Sequence, residues 1–256
     1  MVASWLTDIV TTDLDRALHY THLWGYESIE LRTVGGASER VPDVNVKKLV
    51  RRLSEQDIRV AAIQPSLLES PVADSLAWRN ELSDFGEIAR FCEKTRCDRI
   101  IVSPFTAECS AAPDRISEAL YALDRKCASA GITATIQTGL DTAFGTLHDV
   151  IVQLEEGGYQ HLQFACKIVH SEPNAHDDPA LRIARQHVHR LGYVYVTSTS
   201  IDSPAVVEFL GAVAAEGYTG AVSLLMEDGV SQALKASTAL HLALRSAAKY
   251  AATKAV

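Results

Sequence analysis

Two periodicities share the chain. Short segments rich in β-branched residues, or alternating apolar with polar positions, are each followed by a longer stretch with helical spacing. Eight short segments predict strands: Ser4 to Val10, Ser28 to Arg32, Ile58 to Ile63, Asp98 to Ser103, Ile132 to Gln137, His161 to Ile168, Tyr193 to Ser198 and Gly220 to Leu225. Their starts recur at roughly thirty residues, the length of strand, loop, helix and return loop in a βα unit. Eight such units predict an α/β fold, the closed (β/α)8 TIM barrel.

The stretches between them carry helix signals of their own. Thr146 with Asp149 makes a capping-box-like start, and Gly157 with Gly158 supplies the stop. Asp178 before Pro179, and Ser203 before Pro204, place an N-cap ahead of a proline at the first helical position. The alanine-rich end reads as a last helix, and no low-complexity run or charge block divides the units, so residues 1–256 are expected to form a single TIM-barrel domain. A doubly wound open sheet also alternates strand with helix, but its nucleotide fingerprints GxGxxG and GxxxxGK[ST] do not occur in this sequence.

Charge narrows the partners. Lys+Arg 24 against Asp+Glu 32 leaves a formal charge of -8, a field that repels phosphate backbones, so no nucleic-acid partner is expected. Hydrophobic residues at 47% include no apolar run long enough to span a bilayer, so no membrane partner is expected either. The first residues hold neither a basic nor an uninterrupted apolar stretch, and five scattered cysteines cannot all pair, which points to a reducing, cytoplasmic setting. The partner expected is a small polar metabolite, with a homo-oligomer compatible with the sequence.

In a barrel the reacting groups stand at the C-terminal ends of the strands. That rule selects Glu30 and Arg32 after the second strand, Gln64 and Ser66 after the third, Ser103 after the fourth and Gln137 after the fifth. It also selects Lys167 and His170 after the sixth, Tyr195, Thr197 and Ser198 after the seventh, and Leu225, Glu227 and Asp228 after the eighth.

Several phrases carry a resemblance over nearly the whole chain: GYESIELR in the second unit, LDRKCASAGITATIQ leading into the fifth strand, and EGYTGAVSL leading into the eighth. With these the sequence resembles the xylose-isomerase-like barrels, the sugar phosphate isomerase and epimerase superfamily. That resemblance implies a divalent ion held by Glu on strand five, Asp on strand six, His on strand seven and Glu on strand eight. Carried over, these positions fall on Gln137, Lys167, Tyr195 and Leu225, while His170 matches the histidine of the strand-six D-x-x-H phrase. An amide, an ammonium, a phenol and an isobutyl group do not replace carboxylates and an imidazole around such an ion. No metal ligand and no cofactor is therefore assigned, although Glu227 has the strand parity of Leu225 and can supply one ligand from a layer higher. The endonuclease-IV-like branch of the fold, which needs three zinc ions and a basic groove, is disfavoured on the same grounds.

Lys167, His170 and Glu227 are the catalytic candidates; Glu30, Arg32, Ser103, Gln137, Tyr195, Thr197 and Ser198 are the substrate-binding candidates. For Lys167, an imine nucleophile stands against an ammonium paired with Glu30 or Glu227, and the pairing is preferred. Arg32 either clamps an anion or pairs with Glu30. The run from Thr197 to Ser200 either holds a sugar phosphate or caps the next helix. His19, His22, His187 and His189 read as surface residues, and Cys166 is expected to face away from Lys167. Three functional readings result. The first is a sugar (phosphate) isomerase or epimerase acting on or binding a small polyol or keto-sugar with the metal site lost. The others are a non-catalytic or repurposed binding barrel, and a metal-independent lyase or isomerase built on Lys167.

Overall fold

The computed structural model describes residues 1–36, 39–105, 113–139, 142–169, 179–227 and 229–254. Its eight strands are β1 (Val2–Trp5), β2 (Ser28–Leu31), β3 (Arg59–Ile63), β4 (Arg99–Val102), β5 (Thr133–Ile136), β6 (Leu162–Ile168), β7 (Leu191–Thr197) and β8 (Ala221–Leu225). All neighbours pair in parallel, in the order β1-β8-β7-β6-β5-β4-β3-β2. The ends of this sheet meet where Leu6, one residue past β1, bridges Glu30, and where the Ser28 hydroxyl donates to the Ala3 carbonyl at 2.8 Å. The ring is thereby closed into the (β/α)8 barrel.

The helices are α1 (Leu14–Leu23), α2 (Val46–Glu55), α3 (Ser75–Ser83), α4 (Phe85–Thr95), α5 (Pro113–Ala130), α6 (Leu147–Gly157), α7 (Pro179–Gln186), α8 (Pro204–Ala215) and α9 (Val230–Lys254). A strand buried on both faces sorts its side chains by parity. Phe164, Cys166 and Ile168 of β6 join the large core shared with the helices, whereas Ala165, Tyr193, Tyr195 and Leu225 belong to a smaller cluster inside the barrel. Cys166 thus faces away from Lys167. At the helix layer, Trp5 donates from Nε1 to Thr21 Oγ1 at 3.2 Å and meets Trp24 edge-on at 4.9 Å, which docks α1 against β1.

The helix signals have their expected places. Thr146 and Asp149 form a reciprocal capping box on α6, and Gly158 ends that helix in the left-handed region at φ 60. Ser203 is the N-cap of α8 with Pro204 following, although its side chain makes no capping bond. Asp178 lies outside the described residues. The first strand differs most from expectation. The segment Ser4 to Val10 is strand only through Trp5, because Thr7–Ile9 closes into a 3₁₀ turn. His187 and His189 belong to the turn before β7, His189 inside the 3₁₀ segment Val188–Arg190. Among the described residues, no helix is long and apolar enough to cross a membrane.

Candidate functional site

The barrel interior is polar at three heights. At the floor, Arg99 Nη1 donates to Thr135 Oγ1 at 3.1 Å and to Gln163 Oε1 at 2.8 Å. Gly192 makes room for this group, since a Cβ there would stand 2.6 Å from Thr135 Oγ1 and 2.8 Å from Arg99 Nη1. The pairing of β6 with β7 skips this glycine: Leu191 stands opposite Phe164 and Tyr193 opposite Ala165.

Above the floor sits Glu30, fully buried, accepting a 2.6 Å hydrogen bond from the Tyr195 hydroxyl. Burial pushes its carboxyl up from 4.5 to about 7; hydroxyls of Tyr195, Ser223 and Tyr193 and the charge of Arg32 act in the opposite direction. Ser223 and Tyr193 are near enough to act on the carboxyl but outside hydrogen-bond geometry. Glu30 Oε2, Ser4 Oγ, Tyr193 OH and Ser223 Oγ are all buried without a partner. Burial also drives the Tyr193 and Tyr195 hydroxyls well above the usual phenol range, with the Glu30 carboxyl adding to the effect, so both remain protonated donors.

At the mouth, three strand ends are joined by amides and a hydroxyl. Gln64 Nε2 and Ser103 Oγ both donate to Gln137 Oε1, at 3.1 and 3.0 Å. Arg32 turns to Asp8, in the turn after β1, with Nε to Oδ2 at 2.7 Å. Opposite them, Thr197 shares hydrogen bonds with the hydroxyls of Thr199 and Ser200 at 3.0 and 2.7 Å. Glu227 completes this loop, accepting from Thr199 Oγ1 at 3.0 Å while its backbone N–H donates to Ser198 Oγ at 3.1 Å. Lys167 is level with Tyr195 in the β6–β7 register, and its side chain is exposed.

The mouth therefore gathers Arg32, Ser103, Gln137, Lys167, Ser198 and Glu227. Glu30, Tyr195 and Thr197 lie beneath it, closed to solvent. His170 and Asp228 lie outside the described residues. Two expected pairings are corrected. Lys167 makes no ion pair among the described residues: the Glu30 carboxyl, which burial pushes up to about 7, takes the Tyr195 phenol as its partner, Glu227 accepts from Thr199, and the exposed ammonium stays in water. Arg32 pairs with Asp8, with Glu30 feeling its charge only at a distance.

Sequence reasoning left Gln64 out of the substrate-binding candidates and missed Asp8 as the partner of Arg32. Strand-end position selects Gln64, but its bond to Gln137 spans 73 positions and leaves no local signal. A third omission lies at the opposite end of the barrel. The only group of three His, Cys, Asp or Glu side chains with converging ligand atoms, among the described residues, is Glu155, His187 and His189. The two histidines read as surface residues because their carboxylate partner, Glu155, comes from α6, more than thirty positions earlier in the sequence.

No protein-family model matches the chain, and no curated protein matches it in sequence. Solved structures do. An L-ribulose 3-epimerase superposes with a TM-score of 0.75 at 16% identity, covering 97% of this chain and 96% of the other. The 3-keto-D-glucoside 4-epimerase of E. coli gives 0.74 at 14%, covering 95% and 98%. A xylose isomerase-like TIM barrel protein from Mycobacterium smegmatis, solved in complex with magnesium, gives 0.72 at 10%, covering 98% and 97%.

Proposed function

We propose that this chain, which has the fold of the xylose-isomerase-like barrels, is a sugar isomerase or epimerase-like protein that takes a small neutral polyol or keto-sugar at its mouth and holds it without a divalent ion. The observation that carries this reading is the Gln64–Gln137–Ser103 network. It stands where the resemblance places a metal-ligating carboxylate, and it offers amide and hydroxyl groups of the kind that exchange hydrogen bonds with sugar hydroxyls.

The donor set does not fit a hard or borderline cation. Gln137 already accepts two hydrogen bonds through its only ligating oxygen, and the Tyr195 phenol is committed to Glu30 beneath the mouth. Lys167 brings a positive charge and Leu225 brings no donor atom. Glu227 remains a single carboxylate, held by Thr199.

Charge favours a neutral ligand over a phosphorylated one. The Glu227 carboxylate, after β8, accepts from Thr199 on the loop after β7 that would otherwise cradle a phosphate, and Arg32 is neutralised by Asp8. Lys167 then contributes a charged donor to a ligand hydroxyl or carbonyl. Its exposed side chain lacks the apolar enclosure that makes a lysine nucleophilic, which weighs against imine chemistry. Thermal-shift screening of ketohexoses and cyclic polyols, each beside its phosphorylated counterpart, tests this. Stabilisation by a neutral compound that is lost in Gln137→Leu supports it; preference for the phosphorylated partner, or a borohydride-trapped adduct on Lys167, overturns it.

A further inference from the structure

We propose that Glu155, His187 and His189 form a binding site for one zinc-class transition-metal dication, on the face of the barrel opposite the mouth. Glu155 stands in the last turn of α6, while His187 and His189 flank Val188 at the turn that leads into β7. Both elements lie at the N-terminal ends of the strands they precede, the end of the fold that serves stability rather than chemistry.

The geometry is that of a nearly assembled ligand set. His187 Nδ1 lies 3.7 Å and His189 Nε2 3.4 Å from the same oxygen, Glu155 Oε1, and all three ligand atoms fall within 4.8 Å of one another. Donors placed about 2.0–2.2 Å from a tetrahedral zinc ion are separated by roughly 3.3–3.6 Å, so two edges of the polyhedron are already near their bound length. Two imidazoles and one carboxylate leave a fourth position for water.

Local electrostatics favour a cation here. Glu155 and Glu156 stand near the C-terminus of α6, where the helix macrodipole disfavours negative charge, and the last turn of α6 contains no basic residue. Arg190 approaches Glu155 Oε1 at 3.7 Å, but its guanidinium also donates to the Tyr159 carbonyl. Its charge opposes a dication, so the two imidazoles and the carboxylate must outweigh that repulsion, which lowers the affinity the site can reach. Nitrogen ligands select zinc, nickel or copper over magnesium or calcium.

The test uses untagged protein stripped with chelator and titrated calorimetrically with ZnCl2. One equivalent should bind saturably and raise the unfolding midpoint by about 2–4 °C or more, whereas MgCl2 should do neither. His187→Ala and His189→Ala should each weaken zinc binding about tenfold or more, by analogy with the loss of even a supporting group at a metal centre. Both variants should melt like wild type without metal, since these side chains are 31% and 65% exposed. Glu227→Ala at the mouth should leave zinc binding unchanged. Absence of saturable binding, binding that survives both histidine substitutions, or binding lost in Glu227→Ala would overturn the site.

Discussion

Glu30 shows how much one residue's chemistry depends on distant chain. Strand parity alone places it inside the barrel, but its partner Tyr195 is 165 positions away, and nothing local in the sequence announces the bond. The expected ammonium partner has the right height in the register but the wrong solvation. The phenol replaces it because a hydroxyl can be buried at far lower cost than a charge. The raised carboxyl has a signed consequence for stability. The unfolded chain releases this proton near 4.5 and the folded chain near 7, so over that interval the folded state holds the extra proton. The stabilisation is complete below the lower value and is lost as pH rises through the upper one. A shift from 4.5 to about 7 corresponds to about 3 kcal/mol. Urea unfolding of wild type and Glu30→Gln on either side of that interval should show the variant lacking this component of the pH dependence. The Gln amide can still accept from Tyr195. Identical pH profiles for the two proteins would place the proton elsewhere.

The elements were legible where both faces of a strand are apolar and a cap is written in sequence. β4 through β8 match their expected segments to one or two residues at each end, β7 starting two residues early at Leu191, and the α6 capping box is bonded as its spacing implies. The first strand ends earlier than expected: the apolar and β-branched residues from Leu6 to Val10 resemble a strand in composition, while the Thr7 backbone accepts from Val10 and Thr11 to make a turn. That turn matters to the site, since it carries Asp8 to Arg32. Two substitutions test what fixes the elements. Thr146→Ala removes the hydroxyl that accepts from the Asp149 backbone and should cost about 1 kcal/mol in chemical denaturation. Gly192→Ala drives a methyl group into the Thr135, Arg99 and Gln163 polar cluster at the barrel floor and should cost about 1–3 kcal/mol. If Gly192→Ala proves neutral, the close approach of β7 to that cluster is not what holds the glycine there.

At the scale of the whole molecule, closure of the barrel brings together residues from separate βα units, and this is the level at which sequence reading is weakest. The rule of strand ends selects Arg32, Ser103, Gln137, Lys167, Ser198 and Glu227 for one mouth. It could not say that Gln64 would engage Gln137, that Asp8 would neutralise Arg32, or that Glu227 would be held by Thr199. Those three contacts turn a set of charged candidates into a surface dominated by amides and hydroxyls, with Lys167 as its exposed ammonium. The central claim is that this surface binds a neutral sugar or polyol with no ion at the strand-five to strand-eight positions. It is tested most directly by calorimetric titration of chelator-treated protein with the compound that gives the largest thermal shift, in the presence and absence of MnCl2. The same affinity should be measured in both conditions, and it should fall in Gln137→Leu. Binding that appears only with manganese, and that disappears in Glu227→Ala, would contradict the account and restore a metal centre to the mouth.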